Sequence, residues 1–261
     1  MNRLLSIGAV FFSCVLFLSA QTVEEGRADL SGWDFQADPI IELSGGWEFY
    51  WQEYIISGST LESADAFLSV PGSWNEEVGS SLGYATYRAR VRIPEDAPLL
   101  GLDVQRTNNA NRVYVNGELL GTVGDPGTDR EGTTPYYDEV IYPIDPQAEY
   151  LDICIQIANY HQHTGGPQGP VRIGTYPALR AEWNTNRGIE MLFIGIVFAI
   201  GIYHLVLFKH QPEEMGLLYF FLFTFVAVPL LGFLRSLYPK EASRILNLIA
   251  LGLSVLNRLI C

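Results

Sequence analysis

The chain has 261 residues, 48% hydrophobic and 17% charged, and its 29 acidic residues against 16 lysines and arginines leave a formal net charge of −13. A chain this acidic repels phosphate backbones, which excludes nucleic acid as a partner. Cys154 is the one cysteine of three outside the two apolar ends, so no disulfide staples the polar part of the chain.

Residues 1–20 open with Arg3, continue through an apolar run over 4–18 and close on Ser19 and Ala20, the three parts of a secretory signal cut after Ala20. The following 168 residues, 21–188, hold 25 acidic and 10 basic side chains, no lysine among them, for a net charge of −15. Anionic lipid head groups are repelled by such a surface, whereas cationic ligands and divalent ions are allowed. This segment is expected to fold outside the cytoplasm, and it is long enough to bury a core.

Its hydrophobic period is two. Tyr87, Ala89, Val91 and Ile93 alternate with Arg88, Arg90 and Arg92, which predicts a half-buried strand with a basic outer row. The stretch 151–157 alternates in the same way. Val113-Tyr114-Val115 runs into Asn116-Gly117 and on to Leu119-Leu120, a hairpin signal because Asn and Gly both tolerate positive φ. Further strands are expected over 40–43, 47–51, 67–70, 99–104, 140–144 and 171–174. About nine short strands separated by Gly, Pro, Asn and Asp, with no helical stretch between them, predict a β-sandwich or jelly roll over 21–175. Residues 176–188, with Pro177 in a polar run, read as a connector.

Three apolar stretches follow, over 189–208, 215–234 and 245–261. The first two are long enough at ~1.5 Å per residue to cross a ~30 Å hydrocarbon layer, and the third stops short. Short connections predict adjacent antiparallel spans, so the expected fold class is an all-β jelly-roll ectodomain followed by an α-helical transmembrane bundle in contact with membrane lipid. Loop charges point the other way: Lys209 and His210 lie in the loop expected inside, but Arg235, Lys240 and Arg244 in the one expected outside. A signal-led domain of this size is translocated largely regardless of its charge, which favours the exported orientation.

Several motifs occur in a telling order. Leu43-Ser44-Gly45-Gly46-Trp47-Glu48-Phe49-Tyr50-Trp51 is followed by Val70-Pro71-Gly72-Ser73-Trp74-Asn75, by Gly83-Tyr84-Ala85-Thr86-Tyr87-Arg88 and by Val113-Tyr114-Val115-Asn116-Gly117. This order resembles galactose-binding-like jelly rolls, including the accessory sugar-binding domain of β-galactosidase-type glycosidases. Next come Ala158-Asn159-Tyr160-His161-Gln162-His163-Thr164-Gly165-Gly166, then Ile173-Gly174, Phe193-Ile194-Gly195 and Gly201-Ile202-Tyr203-His204-Leu205. They resemble the passage from jelly roll into first helix in bacterial seven-transmembrane receptors with diverse intracellular signalling modules. The resemblance covers roughly residues 40–235. It implies a multi-pass protein of the bacterial inner membrane with a periplasmic jelly roll, a small-molecule or carbohydrate ligand, no enzyme activity and no cofactor in this portion, and room for a homodimer in the full-length receptor. The family's output module would lie beyond the third span. A rival reading is a membrane-tethered glycoside hydrolase or a carbohydrate-binding accessory module, and a third is an adhesion module.

Candidate ligand residues follow from chemistry. Trp74, Tyr136 and Tyr137 offer faces for a sugar ring, and Asn108, Asn109 and Asn116 offer donors and acceptors to hydroxyls. His161 and His163, two apart, permit a metal site on an extended segment but read better as a surface loop, so no metal is expected. Glu24-Glu25, Glu76-Glu77 and Asp138-Glu139 are adjacent and diverge on a strand, so no catalytic acid–base pair is assigned. Within the spans, His204 and Arg258, the latter beside Asn257, read as snorkelling residues, Gly195 and Ala199 permit close helix approach, and Pro229 predicts a kink.

Overall fold

The computed structural model describes residues 22–57, 63–105, 107, 109–136 and 138–237, with side chains described as far as residue 226. The expected signal over 1–20, the third span over 245–261, Asn257, Arg258, Asn108 and Tyr137 lie outside the described residues.

Eleven strands, numbered in chain order, form two sheets among the described residues. The larger runs β4 (Ala66–Val70), β3 (Gly45–Trp51), β5 (Gly83–Arg92), β10 (Tyr150–Asn159), β7 (Ala110–Val115), β8 (Glu118–Val123), with β1 (Arg27–Asp29) lying parallel to β5 off that path. The smaller runs β2 (Ile40–Glu42), β11 (Val171–Thr175), β6 (Leu100–Val104), β9 (Ile141–Ile144). Alternation explains which faces meet. Ala85, Tyr87, Ala89 and Val91 of β5, and Leu151, Ile153, Ile155 and Ile157 of β10, point into the core, where Trp47, Phe49, Leu100, Leu102 and Ile173 join them. Each large side chain fully buried there contributes ~1.5–3 kcal/mol.

The outer face of the larger sheet departs from the sequence expectation. Arg88 is buried, because residues 52–57 cross over that face: Thr86 Oγ1 donates to Glu53 O (2.6 Å), Ile55 N to Thr86 Oγ1 (3.0 Å), Gln156 Nε2 to Ile55 O (3.2 Å) and Ser57 Oγ to Asp152 Oδ2 (2.6 Å). Only Arg90 and Arg92 remain at the surface of the basic row. Asn116 and Gly117 make the β7–β8 turn with φ of 51° and 85°, as the dipeptide predicts.

Register defines the two ends of the sandwich. Gly83, Asn159 and Ala110 share one end, and Arg92, Tyr150 and Val115 the other. One short helix, α1 (Asn75–Val78), lies between β4 and β5, and from the second end of the sandwich leaves α2 (Tyr176–His210). The stretch read as a connector over 176–188 is therefore helical. Pro177 suits the first turn, where its missing N–H has no partner to lose. The same turn docks on the smaller sheet: Leu179 is fully buried, and a Cβ on Gly101 would stand 2.9 Å from Leu179 Cδ1. Arg172 of β11 bridges Asp103 (2.7 Å) and Glu182 of α2 (2.7 Å). Further along, Arg180 and Arg187 flank the Trp183 ring at 5.3 and 4.8 Å, just before the apolar part of the helix.

The expected transmembrane bundle is corrected. Among the described residues α2 is the one helix long and apolar enough to cross a membrane. The second helix, α3 (Met215–Leu237), folds back on it, with Phe198 against Phe225, His204 against Phe220 and Gly201 beside Thr224. These two helices make a hairpin, not a bundle. Hydropathy reports that a segment can be long and apolar, but it carries no term for how many such segments assemble.

Candidate functional site

At the end where α2 leaves, two braced turns and the start of that helix enclose a cleft of about 700 Å³. One wall is the 31–39 turn. Asp34 Oδ1 accepts from Gln36 N (2.8 Å) and Ala37 N (3.3 Å), an Asx turn that fixes the loop. Trp33 N donates to Leu30 O (2.9 Å), and its indole Nε1 donates to Asp38 O (2.9 Å). The indole N–H is thus already satisfied, and what Trp33 offers the cleft is its half-buried ring. Phe35, buried, supports the wall from within. The opposite wall is the β5–β6 loop, with Pro94, Asp96, Pro98 and the exposed Leu99. The helix start closes the third side: Thr175 N donates to Pro39 O (2.8 Å), Tyr176 N to Leu99 O (3.0 Å), and Thr175 and Pro177 both border the cleft.

This lining joins a flat aromatic ring and rigid apolar surface to the acceptors and donors of Asp34, Gln36, Asp96, Ser31 and Thr175. A ligand with an apolar face and a hydroxylated edge would be complementary to it.

The residues singled out in the sequence fall elsewhere. Trp74 is fully buried among Phe49, Trp51 and Tyr87, so its ring is core and presents no face to a ligand. Asn109, 1% exposed, lies in the β6–β7 connection at the end away from α2, and both its side-chain polar atoms lack a partner among the described residues. Tyr136 is exposed in the β8–β9 loop at that same end. Asn116 lies at the opposite end and is used by its turn, its Oδ1 accepting from Asp152 N at 2.8 Å. Trp74, Asn109 and Tyr136 therefore share one end of the sandwich, but only Tyr136 faces solvent. His161 Nε2 lies 3.1 Å from Thr133 O. Among the described residues no three His, Cys, Asp or Glu side chains come together as a metal-binding group.

Trp33 was not among the sequence candidates. Its signal was local: a tryptophan inside Ser31-Gly32-Trp33-Asp34, a turn-forming stretch where an aromatic has no strand face to join.

No family model matches this sequence, and no curated protein matches it. Solved structures similar to it are parts of glycoside hydrolases. A GH2 β-galacturonidase from Eisenbergiella tayi, bound to galacturonate, superposes with a TM-score of 0.39 at 18% identity over 52% of this chain and 24% of the enzyme. A β-glucuronidase from Ruminococcus gnavus in complex with uronic isofagomine gives 0.41 at 15% identity over 51% and 28%. A β-glucuronidase from an uncultured Clostridium sp. gives 0.41 at 16% identity over 52% and 29%. The chain thus spans about a quarter of the length of these enzymes, and a likeness of this depth assigns it neither activity nor substrate. The expectation of no enzyme activity in this portion is withdrawn: the solved structures similar to it are parts of enzymes, a likeness that gives that expectation no support.

Proposed function

We propose that this chain is a membrane-anchored carbohydrate-binding module, its β-sandwich outside the cytoplasm and α2 in the lipid. The observation that carries the reading is the cleft at the foot of the sandwich, where the Trp33 ring stands with its N–H already bonded and Asp34, Gln36, Asp96, Ser31 and Thr175 border the same space. A pyranose has an apolar C–H face for the indole and hydroxyls for the polar rim. Titrating the full chain in neutral detergent with a panel of neutral mono- and oligosaccharides tests it. Binding that falls about tenfold or more in Trp33→Ala, ~1.4 kcal/mol, with unchanged thermal melting, is the expected result. Wild-type affinity in that variant, or no binding by the unaltered chain, would overturn the reading. Asp34 and Asp96 both border the cleft, so the same titration with aryl glycosides, followed for phenol release, extends the reading to hydrolysis if turnover is seen.

A second reading, the sensory front part of a bacterial transmembrane receptor, is favoured by one observation: Thr175 and Pro177, at the start of α2, border the cleft that would hold the ligand. Occupancy would then be felt at the helix that enters the membrane. Ligand-dependent hydrogen exchange in residues 176–182 supports that reading, and identical exchange with and without saturating ligand removes it.

A further inference from the structure

The basic outer row of β5 lies apart from the cleft, which no arginine lines. Strand β1 lies parallel to β5 in a register that pairs Arg27 with Arg90 and Asp29 with Arg92, so the two outward rows stand side by side. Between them runs a groove of about 620 Å³ bordered by Thr22, Glu24, Arg27, Arg90, Arg92 and Tyr150, among others. Three guanidinium groups converge there, in a segment whose net charge is −15.

Their charges are not balanced alike. Arg92 is held by Glu149 at 2.7 Å and lies 3.9 Å from Asp29. Among the described residues Arg90 approaches only Asp152, at 3.9 Å, and the oxygens of Asp152 are already taken by Arg88 at 2.7 and 2.8 Å and by Ser57 at 2.6 Å. Arg27 is exposed and makes no ion pair among the described residues. Two neighbouring guanidinium groups without a counter-charge of their own repel each other, and an anion from solution that lies between them relieves that repulsion. Tyr150, 42% exposed, supplies a ring beside them, 5.9 Å from Arg92 Cζ, and Thr22 a hydroxyl. The carboxylates of Glu24 and Asp29 at the rim accept from hydroxyls and repel a second negative charge, which selects a monoanion over a phosphate dianion.

We infer that the groove between β1 and β5 binds an acidic monosaccharide of the uronate class, with its carboxylate held by Arg27 and Arg90 and its ring against Tyr150. The sugar half of this inference rests on the carbohydrate reading above, and the anion half rests on the arginines alone. The groove and the Trp33 cleft are separate in the chain: Asp29 borders one, Ser31 the other, and the buried Leu30 stands between them.

The test is calorimetric titration of the full chain in neutral detergent with D-glucuronate, D-glucose and acetate, for the wild type, Arg27→Gln, Arg90→Gln and Arg27→Lys. The Arg90 backbone bond to Gly26 O (2.8 Å) does not involve the side chain, so the strand pairing is kept. Glucuronate is expected to bind at least tenfold more tightly than glucose, to lose about tenfold in each Gln variant, the size of one charge-assisted hydrogen bond, and to regain part of that in Arg27→Lys. Glucuronate no tighter than glucose, or equal in wild type and both Gln variants, overturns the groove while leaving the carbohydrate reading standing. Acetate as tight as glucuronate upholds the anion half and overturns the sugar half. Binding of neither sugar overturns both readings.

Discussion

Replacing Arg88 by Met should unfold the domain at a markedly lower temperature, and the structure sets the scale. Arg88 grips Asp152 with two bonds, Nε to Oδ1 at 2.7 Å and Nη2 to Oδ2 at 2.8 Å, and reaches Glu48 Oε2 with Nη1 at 3.2 Å. The side chains of Arg88 and Asp152 are only 6% and 8% exposed. Tyr50 donates to the same Glu48 at 3.0 Å, and burial together with that carboxylate pushes its phenol up to about 12. Removing the guanidinium leaves a carboxylate under residues 52–57 with Ser57 and a distant Arg90 for company. Breaking a buried pair in this way costs ~3–5 kcal/mol. At roughly 2–4 °C per kcal/mol for a domain of this size, the midpoint should fall by roughly 6–20 °C at neutral pH, read by circular dichroism on the full chain in neutral detergent. Burial works to raise the Asp152 carboxyl, but the hydrogen bonds from Arg88 and Ser57 and the arginine charges outweigh it and hold it below its ordinary 3.8. The pair therefore stabilises fully above that ordinary value, and its contribution is lost as pH falls through the depressed one. The gap between wild type and Arg88→Met should narrow below about pH 4, and Arg88→Met with Asp152→Leu should recover part of the loss. A midpoint within about 2 °C of wild type at neutral pH, or a gap constant with pH, would refute the reasoning, since ~1 kcal/mol is what a surface pair supplies.

Three smaller perturbations follow from packing and exposure. A Cβ on Gly165 would stand 2.1 Å from Trp74 Cε2, so Gly165→Ala should cost ~1–3 kcal/mol in chemical denaturation, whereas Gly188→Ala, with open space around it, should be neutral or mildly stabilising; equal midpoints for the two would sink the account of the Trp74 packing. Cys154 is fully buried and its thiol is pushed up to about 12, chiefly by burial, so in a Cys14→Ser, Cys261→Ser background it should resist iodoacetamide at pH 8 until denaturant is added, and labelling at the rate of a free thiol would contradict its placement. Arg172→Met removes the bridge to Glu182 and should raise hydrogen exchange over residues 176–182; unchanged exchange would mean that Leu179 alone seats the helix.

The strands were legible because one face of each is apolar and the period is two, as in 151–157 and in the Tyr87 to Val91 alternation. The turn at Asn116-Gly117 was legible because its two positive φ values suit those two residues. Strand β1 was not, since three residues, Arg27 to Asp29, are too few to show a period, and the convergence of Arg27 with Arg90 exists only through a pairing across more than sixty positions of sequence. The burial of Arg88 was hidden for a related reason: it depends on residues 52–57 returning over the sheet. Trp74 and Trp33 mark the limit of reading aromatics. Both stand beside turn-forming residues, yet one is driven into the core by Phe49, Trp51 and Tyr87 while the other is left half-buried at a cleft, and composition alone does not separate them.

The most direct test of the central claim is to label the chain with 15N-tryptophan and follow the indole N–H signals of its five tryptophans while titrating a neutral oligosaccharide that binds. The Trp33 signal should move with saturation while that of Trp47, buried and donating to Leu43 O at 2.9 Å, stays in place. A bound sugar that leaves the Trp33 signal where it was, or shifts another indole in its stead, would contradict the cleft as the binding site.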